Sequence, residues 1–273
     1  MKKLRIGIVG CGAIGTSLAK AITKDFSGQA DLVALYDTDV LKARRLSGML
    51  SKNKGLAVNN LEQLINRVKL VIESASAAVS WDIAKNALVK GRDVMLMSVG
   101  GVVSRLDKLR ELAKRRHCRV YIPSGAISGI DALKAAKLGR IRKVTLTTRK
   151  NPISFKGVKY IEKKRIRLDK IKKDEVLFSG TAKEAVRYFP QNINVAAVLS
   201  LGGIGENKTK VEIIASPKTN KNIHEIYIES KAARILTRTE NIVHPDNPKT
   251  SYLAVLSAIA TLKQILEPVK IGT

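Results

Sequence analysis

Residues 4–37 constrain this chain more than any other stretch. Leu4-Arg5-Ile6-Gly7-Ile8-Val9 has the short apolar run of a buried strand, and Gly10-Cys11-Gly12-Ala13-Ile14-Gly15 follows at once. Ile14, Leu18, Ala21 and Ile22 then recur at helical spacing, so a helix opens inside the glycine run. A second apolar segment, Leu32 to Tyr36, ends in Asp37. Each part of this strand, G-x-G-x-x-G, helix, strand and acid has a mechanical role. Gly10 permits the tight turn, Gly12 lets a pyrophosphate approach the backbone, and Gly15 lets helix and strand pack closely. The helix start at Ala13 and Ile14 offers N–H groups and a positive dipole end to phosphates. Asp37 lies where a carboxylate accepts from ribose hydroxyls, so the segment reads as a dinucleotide site.

The rest of the first half alternates strand and helix. Leu61, Leu64, Ile65 and Val68 make a helix face. Leu70 to Glu73 is a strand ending in Ser74, Ala75 and Ser76. A helix carrying Val79, Ile83, Ala84, Ala87 and Leu88 stops at Gly91, and Asp93 to Met97 is a strand ending in Ser98, Val99 and Gly100. Ser104 has the character of an N-cap, and Cys118 to Ile122 closes the series before Pro123. Alternation of this kind implies a parallel, doubly wound sheet. Its strand tips, Ser74 to Ser76 and Ser98 to Gly100, are expected to line the nicotinamide half of the site.

The small-residue loop Pro123 to Gly129 marks a crossing into a second domain. The pattern predicts a helix over 130–137, a strand over 143–149, a helix over 182–189, and a helix to Leu201 capped by Asn194. Strands follow over 209–215, 222–230 and 233–240, antiparallel by their short connections. Lys156 to Lys173 alternates charge with apolar residues and reads as exposed strands or a mobile flap. A last helix, Tyr252 to Leu266, is apolar nearly all round and is expected to be buried on several sides. The expected division is a Rossmann-type domain over 1–123, a smaller α+β domain with a mixed or antiparallel sheet over 124–245, and a C-terminal segment, 246–273, returning to the first.

The formal net charge of +27 suggests nucleic acid. Yet the basic residues are dispersed and aromatics make up only 4%, so no stacking platform accompanies them. A solvated basic surface is the preferred reading, and it would still attract anionic cofactors and carboxylate substrates. No apolar run is long enough to cross a bilayer, the N-terminus leads straight into a strand without a signal peptide, and Cys11 and Cys118 have no CxxC or metal-like spacing. A reduced, cytoplasmic protein with no metal and no membrane partner is expected.

Three histidines are candidates for proton transfer. His117 ends a basic helix, and His244 lies in a loop before Pro245. His224 lies in a strand of the second domain and is the preferred general acid–base, a side chain that titrates near neutral pH; the alternative is an ordinary histidine on a sheet surface. Glu225 alternates to the opposite face.

The chain resembles the L-aspartate dehydrogenase family over essentially its whole length. The marks are Gly10 to Gly15, Glu73-Ser74-Ala75-Ser76, Pro123 to Gly129, Phe189-Pro190-Gln191-Asn192-Ile193-Asn194-Val195-Ala196, Asn222-Ile223-His224-Glu225-Ile226 and Asn247-Pro248-Lys249-Thr250-Ser251. The resemblance implies oxidation of L-aspartate to iminoaspartate with NAD or NADP, a homodimer, and a role in NAD synthesis. It puts the catalytic histidine on His224 and nicotinamide-side contacts on Ala126 and Asn194. Two alternatives remain: a Rossmann-type binding protein with a nucleic-acid surface, and a related oxidoreductase such as homoserine dehydrogenase or dihydrodipicolinate reductase. The paired-histidine and lysine segment expected of the reductase is missing.

Overall fold

The structure, a computed structural model, describes residues 2–50, 55–189, 193–245 and 247–272. It divides into two compact units: residues 1–123 with 255–271, and residues 124–254 with 272–273.

In the first unit, strands and helices alternate as β1 (Leu4–Val9), α1 (Ala13–Lys24), β2 (Ala30–Tyr36), α2 (Val40–Leu50), α3 (Leu61–Arg67), β3 (Leu70–Glu73), α4 (Ala77–Val89), β4 (Asp93–Leu96), α5 (Leu106–Arg115) and β5 (Val120–Tyr121). The sheet is parallel throughout, in the order β2-β1-β3-β4-β5. The central strands are apolar runs rather than alternating ones because helices cover both faces. β3 is buried at all four positions, including Glu73. Ile6, Ile8, Leu18, Ile22, Leu35, Leu70 and Ile72 form one core cluster, joined by Ala258 and Leu262 of the last helix.

Two local expectations fail in this unit. Ser104 is not a cap: it lies in a 3-10 turn, Val103–Arg105, and α5 starts after Arg105 with no side-chain cap. The last helix buries one stripe, Val255, Ala258 and Leu262, while Leu253 and Leu256 are exposed. Its apolar composition overstated how many of its sides are covered.

The second unit contains α6 (Ile130–Leu138), β6 (Ile141–Lys150), α7 (Lys159–Lys163), β7 (Glu175–Thr181), α8 (Ala182–Tyr188), α9 (Ile193–Gly202), β8 (Lys210–Ala215), β9 (Asn222–Ser230), β10 (Arg234–Asn241), β11 (Val243–His244) and β12 (Asn247–Ser251). α10 (Tyr252–Leu266) begins in this unit and continues in the first. The larger sheet is mixed, in the order β10-β9-β6-β8-β7. β8 and β9, expected to be neighbours, are separated by β6, which runs parallel to β8 and antiparallel to β9. A short connection argues for pairing only when no earlier strand competes for the same edge, and here β6 does.

Lys156 to Lys173 forms neither strands nor a flap. It holds α7 and a 3-10 turn over Leu168–Lys170, after another over Pro152–Phe155. Phe155, Val158 and Ile161 are buried at a spacing of three, the period of a tight helical turn rather than a strand. Tyr160 of α7 packs against Phe178, Tyr188 and Phe189, with ring centroids 5.0–5.9 Å apart. This small aromatic cluster anchors the segment. The lysines therefore decorate the outside of an anchored element. α8 begins with a capping box: Thr181 accepts from the Glu184 amide, and Glu184 accepts from the Thr181 amide.

Candidate active site

In the first unit the glycine loop is held by its neighbours on both sides. The Gly10 amide donates to the Tyr36 carbonyl at 2.8 Å, and the Ser74 hydroxyl donates to the Gly10 carbonyl at 2.8 Å. Gly10 has φ of +94°, and a Cβ there would lie 2.6 Å from the Ser74 backbone. A Cβ on Gly15 would lie 2.0 Å from the Gly10 carbonyl oxygen, so α1 can approach β1 this closely only without a side chain. Above Gly12 there is open space: a Cβ there would meet nothing within 4 Å. Gly12 is the N-cap of α1, and Ala13 and Ile14 form its first turn. The loop thus presents a bare backbone and a helix start to the same open volume.

Asp37 is tied into this loop. Its carboxylate accepts from the Cys11 amide at 2.7 Å and from the Asp39 amide at 2.9 Å. A carboxylate has about four acceptor positions, so capacity remains for further hydroxyl donors. The Cys11 thiol is pushed up to about 12, chiefly by burial and then by the Asp37 charge. It stays a thiol at neutral pH.

Glu73 was given no site role from the sequence, and it organises the tips of β3 and β4. Its carboxylate accepts from the Ala75 amide and from the Ser98 amide, each at 2.9 Å. Burial raises its pKa, against the lowering effect of those hydrogen bonds. Ser74, Ala75 and Ser76 precede α4, and Val99 and Gly100 fall in a 3-10 turn, Val99–Gly101. One buried acid therefore joins two of the three loops expected to hold a nucleotide. Its sequence signals were an acid ending an otherwise apolar strand and its place in the Glu73-Ser74-Ala75-Ser76 mark of the resemblance.

In the second unit the site is built across strands. His224 is buried, only 5% exposed. It stands opposite Thr148 of β6 and Thr239 of β10 in the antiparallel register. Its Nδ1 is 3.0 Å from the Thr148 hydroxyl. Burial first, and then the Lys150 charge, lower its pKa from 6.5 to about 3. The expectation of a group titrating near neutrality is therefore corrected: His224 is a neutral imidazole over the whole physiological range, because a packed sheet face does not solvate an imidazolium. The alternative of a surface histidine is equally excluded.

The loop of residues 124–129 is fastened beside this register. The Ser128 and Thr239 hydroxyls are 3.0 Å apart, and the Asn241 side-chain amide donates to the Ala126 carbonyl at 3.0 Å. Asn241 is itself buried and accepts from the Ser251 hydroxyl. Asn194 is not a cap: α9 begins at Ile193, so Asn194 lies in the first turn and is exposed. The motif residues Pro190, Gln191 and Asn192 lie outside the described residues.

His244 is not in a loop but in β11, buried, with its ring 5.4 Å from that of Tyr252. His117 follows α5 with φ of +51°. Glu225, on the other face of β9, is bound by Arg149 and by Arg238. Desolvation is the largest single effect and pushes its carboxyl up, but the hydrogen bonds and charges of the two arginines together outweigh it and hold the carboxyl low. Among the described residues no group of His, Cys, Asp or Glu is arranged to hold a metal, and no helix is long and apolar enough to cross a membrane.

A family model described as "Aspartate dehydrogenase, C-terminal" matches residues 131–265, and one described as "Homoserine dehydrogenase, NAD binding domain" matches residues 10–123. The chain is 47% identical to L-aspartate dehydrogenase of Methanococcoides burtonii, covering 99% of this chain and 100% of that one. It is 42% identical to L-aspartate dehydrogenase of Nitrosopumilus maritimus, covering 98% and 99%. A crystal structure of aspartate dehydrogenase from Thermotoga maritima aligns with a TM-score of 0.74 at 25% identity, covering 99% of this chain and all of that one. A homoserine dehydrogenase from Thiobacillus denitrificans, at 15% identity and a TM-score of 0.64, covers 97% of this chain and 74% of that one, and shares the fold.

Proposed function

The chain belongs to the L-aspartate dehydrogenase family, and from that premise we propose that it oxidises L-aspartate to iminoaspartate with NAD or NADP, water then releasing oxaloacetate and ammonia. The observation that carries this reading is His224: a buried, neutral imidazole locked by Thr148 in the unit matched by the aspartate dehydrogenase model.

The first unit fits a dinucleotide. Gly12 leaves open the space a pyrophosphate needs, and α1 starts at that space. Gly10, Gly12, Ala13 and Ile14 are assigned to the pyrophosphate, and Asp37 to the adenosine ribose. Ser74, Ala75, Ser76, Ser98, Val99 and Gly100 are assigned to the nicotinamide side, and the resemblance adds Ala126 and Asn194. When bound, such a nucleotide accepts the hydride from the substrate carbon.

The protein's own part is to hold and move protons. Oxidation of the amine requires its unprotonated form, and hydrolysis of the imine requires an activated water. With Nδ1 held by Thr148, Nε2 is the nitrogen assigned to both tasks. The tautomer this needs has Nδ1–H donating to the Thr148 hydroxyl and the lone pair on Nε2. Depression of the pKa keeps that lone pair available at neutral pH. A base with so low a pKa has little driving force by itself, so the bound substrate must raise it.

A homodimer and a contribution to NAD synthesis are further assignments, both from the family resemblance. Light scattering on purified protein tests the first. The direct test of the activity is ammonia-dependent oxidation of NADH by oxaloacetate. Turnover that requires both ammonia and oxaloacetate supports the reading, and its absence with either NADH or NADPH overturns it.

A further inference from the structure

We propose that Glu73 biases the cofactor site toward the oxidised state: its buried carboxylate sets a fixed negative charge beneath the two strand tips assigned to nicotinamide, favouring the cationic oxidised ring over the neutral reduced one. This deepens the cofactor reading of the first unit and rests on it for the placement of the nicotinamide.

The position comes from topology. β1 lies between β2 and β3, so the strand order reverses between β1 and β3. In open α/β sheets, ligands bind outside the carboxyl ends of the strands at such a point. Glu73 is the last residue of β3, opposite Val9 at the end of β1 and Leu96 at the end of β4. One carboxylate oxygen accepts from the Ala75 amide and the other from the Ser98 amide. The tips also press on each other directly. A Cβ on Gly101 would lie 2.0 Å from the Ala77 carbonyl oxygen and 2.3 Å from the Ser80 hydroxyl, so the turn after β4 meets the first turn of α4 with no room for a side chain. The charge is therefore held in place under both tips.

This charge has no counter-ion. The chain carries 50 lysines and arginines against 23 acids. Yet Glu73, the one buried acid among the described residues, is bonded by N–H and O–H groups and not by a cation. A buried carboxylate normally pairs with a cation or takes up a proton. Here both oxygens face amide donors, which suits the anion. The hydrogen bonds from Ser98 and Ala75 lower the pKa against the burial that raises it, and no charged neighbour ranks among these influences. A cation brought by a ligand relieves the remaining cost of the buried anion. Oxidised nicotinamide is such a cation, and a hydride added to its ring cancels the charge. In the weakly screening interior of a sheet, a fixed charge acts over a longer range than in water.

The test uses the full-length protein and Glu73→Gln, which keeps the shape and removes the charge. Titration calorimetry gives Kd for NAD+, for NADH and for ADP-ribose, which lacks the nicotinamide. The variant should lose about 3–30-fold more affinity for NAD+ than for NADH, and bind ADP-ribose within about twofold of wild type. Glu73→Asp retains the charge and should restore most of the NAD+ to NADH ratio. A merely structural role weakens NAD+ and NADH by the same factor. That result overturns the proposal, as do unchanged affinities.

If Glu73→Gln does not fold, infrared spectroscopy of the wild-type NAD+ complex decides. The carboxyl stretching band of a buried, protonated acid overturns the proposal, and its absence supports a charged Glu73. Failure of the underlying reading looks different. A wild-type protein that binds none of the three nucleotides refutes the cofactor reading, and the proposal with it. One that binds all three, with a ratio that survives Glu73→Gln, refutes the proposal alone.

Discussion

The glycine loop of the first unit and the His224 face of the second are both polar machinery on an apolar sheet, assembled by opposite means. The loop uses contiguous residues: Gly10 to Gly15 follow β1 directly, and backbone groups do most of the work. The His224 face uses side chains from distant positions, since Thr148 and His224 are 76 residues apart and meet only through strand register. The loop also presents open space, whereas His224 is packed out of water. A backbone site tolerates most side chains provided a few positions lack one. A register site depends on the identity of each side chain and on burial that shifts its chemistry.

Breaking the register site should have the largest effect. His224→Ala is expected to lower turnover by roughly 10²–10⁴, with cofactor affinity nearly unchanged. Steady-state kinetics over both substrates check this. A large rise in aspartate KM with turnover preserved would assign His224 to binding.

Breaking the backbone site should act on the other parameter. Gly12→Val introduces a side chain into space where nothing else stands, so folding should be unaffected. The cofactor KM should rise about tenfold or more, equivalent to about 1.4 kcal/mol, while the apo protein melts at the wild-type temperature. An unchanged cofactor titration would remove the pyrophosphate from this loop.

Glu73 sharpens the comparison, because it is a buried side chain inside the backbone-built site. Glu73→Gln sets an amide NH2 against one of two N–H donors, from Ala75 and Ser98. It should cost about 1–3 kcal/mol of stability. Chemical denaturation measures this, and wild-type stability would mean the two strand tips hold themselves.

The pH dependence of stability distinguishes the units again. His224 has a folded pKa of about 3 against 6.5 when free, so between those values the unfolded chain binds the extra proton. Stability is therefore complete above about pH 6.5 and falls as the pH drops toward 3. His224→Gln should flatten that part of the curve, as measured by denaturant melts from pH 7 to 4. Parallel curves for wild type and variant would contradict the burial.

The smallest expected effect concerns cofactor choice. With Asp37 assigned to the ribose, its carboxylate would repel a 2′-phosphate and favour NAD. Lys42, which forms an ion pair with Asp39, stands nearby and reduces the discrimination. We expect NAD to be used well and NADP less well. A tenfold preference for NADP (about 1.4 kcal/mol) would show that Asp37 does not face the ribose.

The sequence by itself determined the first unit. Its parallel sheet, the turn at Gly10, the close packing at Gly15 and the acid at Asp37 all follow from local pattern, because each is set by residues adjacent in the chain. It also singled out His224, through position on a strand and resemblance to a family. Tertiary structure decided what the sequence could not carry. Insertion of β6 between β8 and β9 is a competition among strands for the same edges, and no local pattern records the outcome. The charged stretch became an anchored helical segment because Phe155, Val158 and Ile161 are buried and Tyr160 packs against Phe178, Tyr188 and Phe189. The roles of Glu73 and Thr148, and the displacement of the His224 pKa from neutrality, arise from burial and cross-strand neighbours. Proton affinity is a property of the surroundings of a group, and those surroundings exist only once the sheet has closed around it.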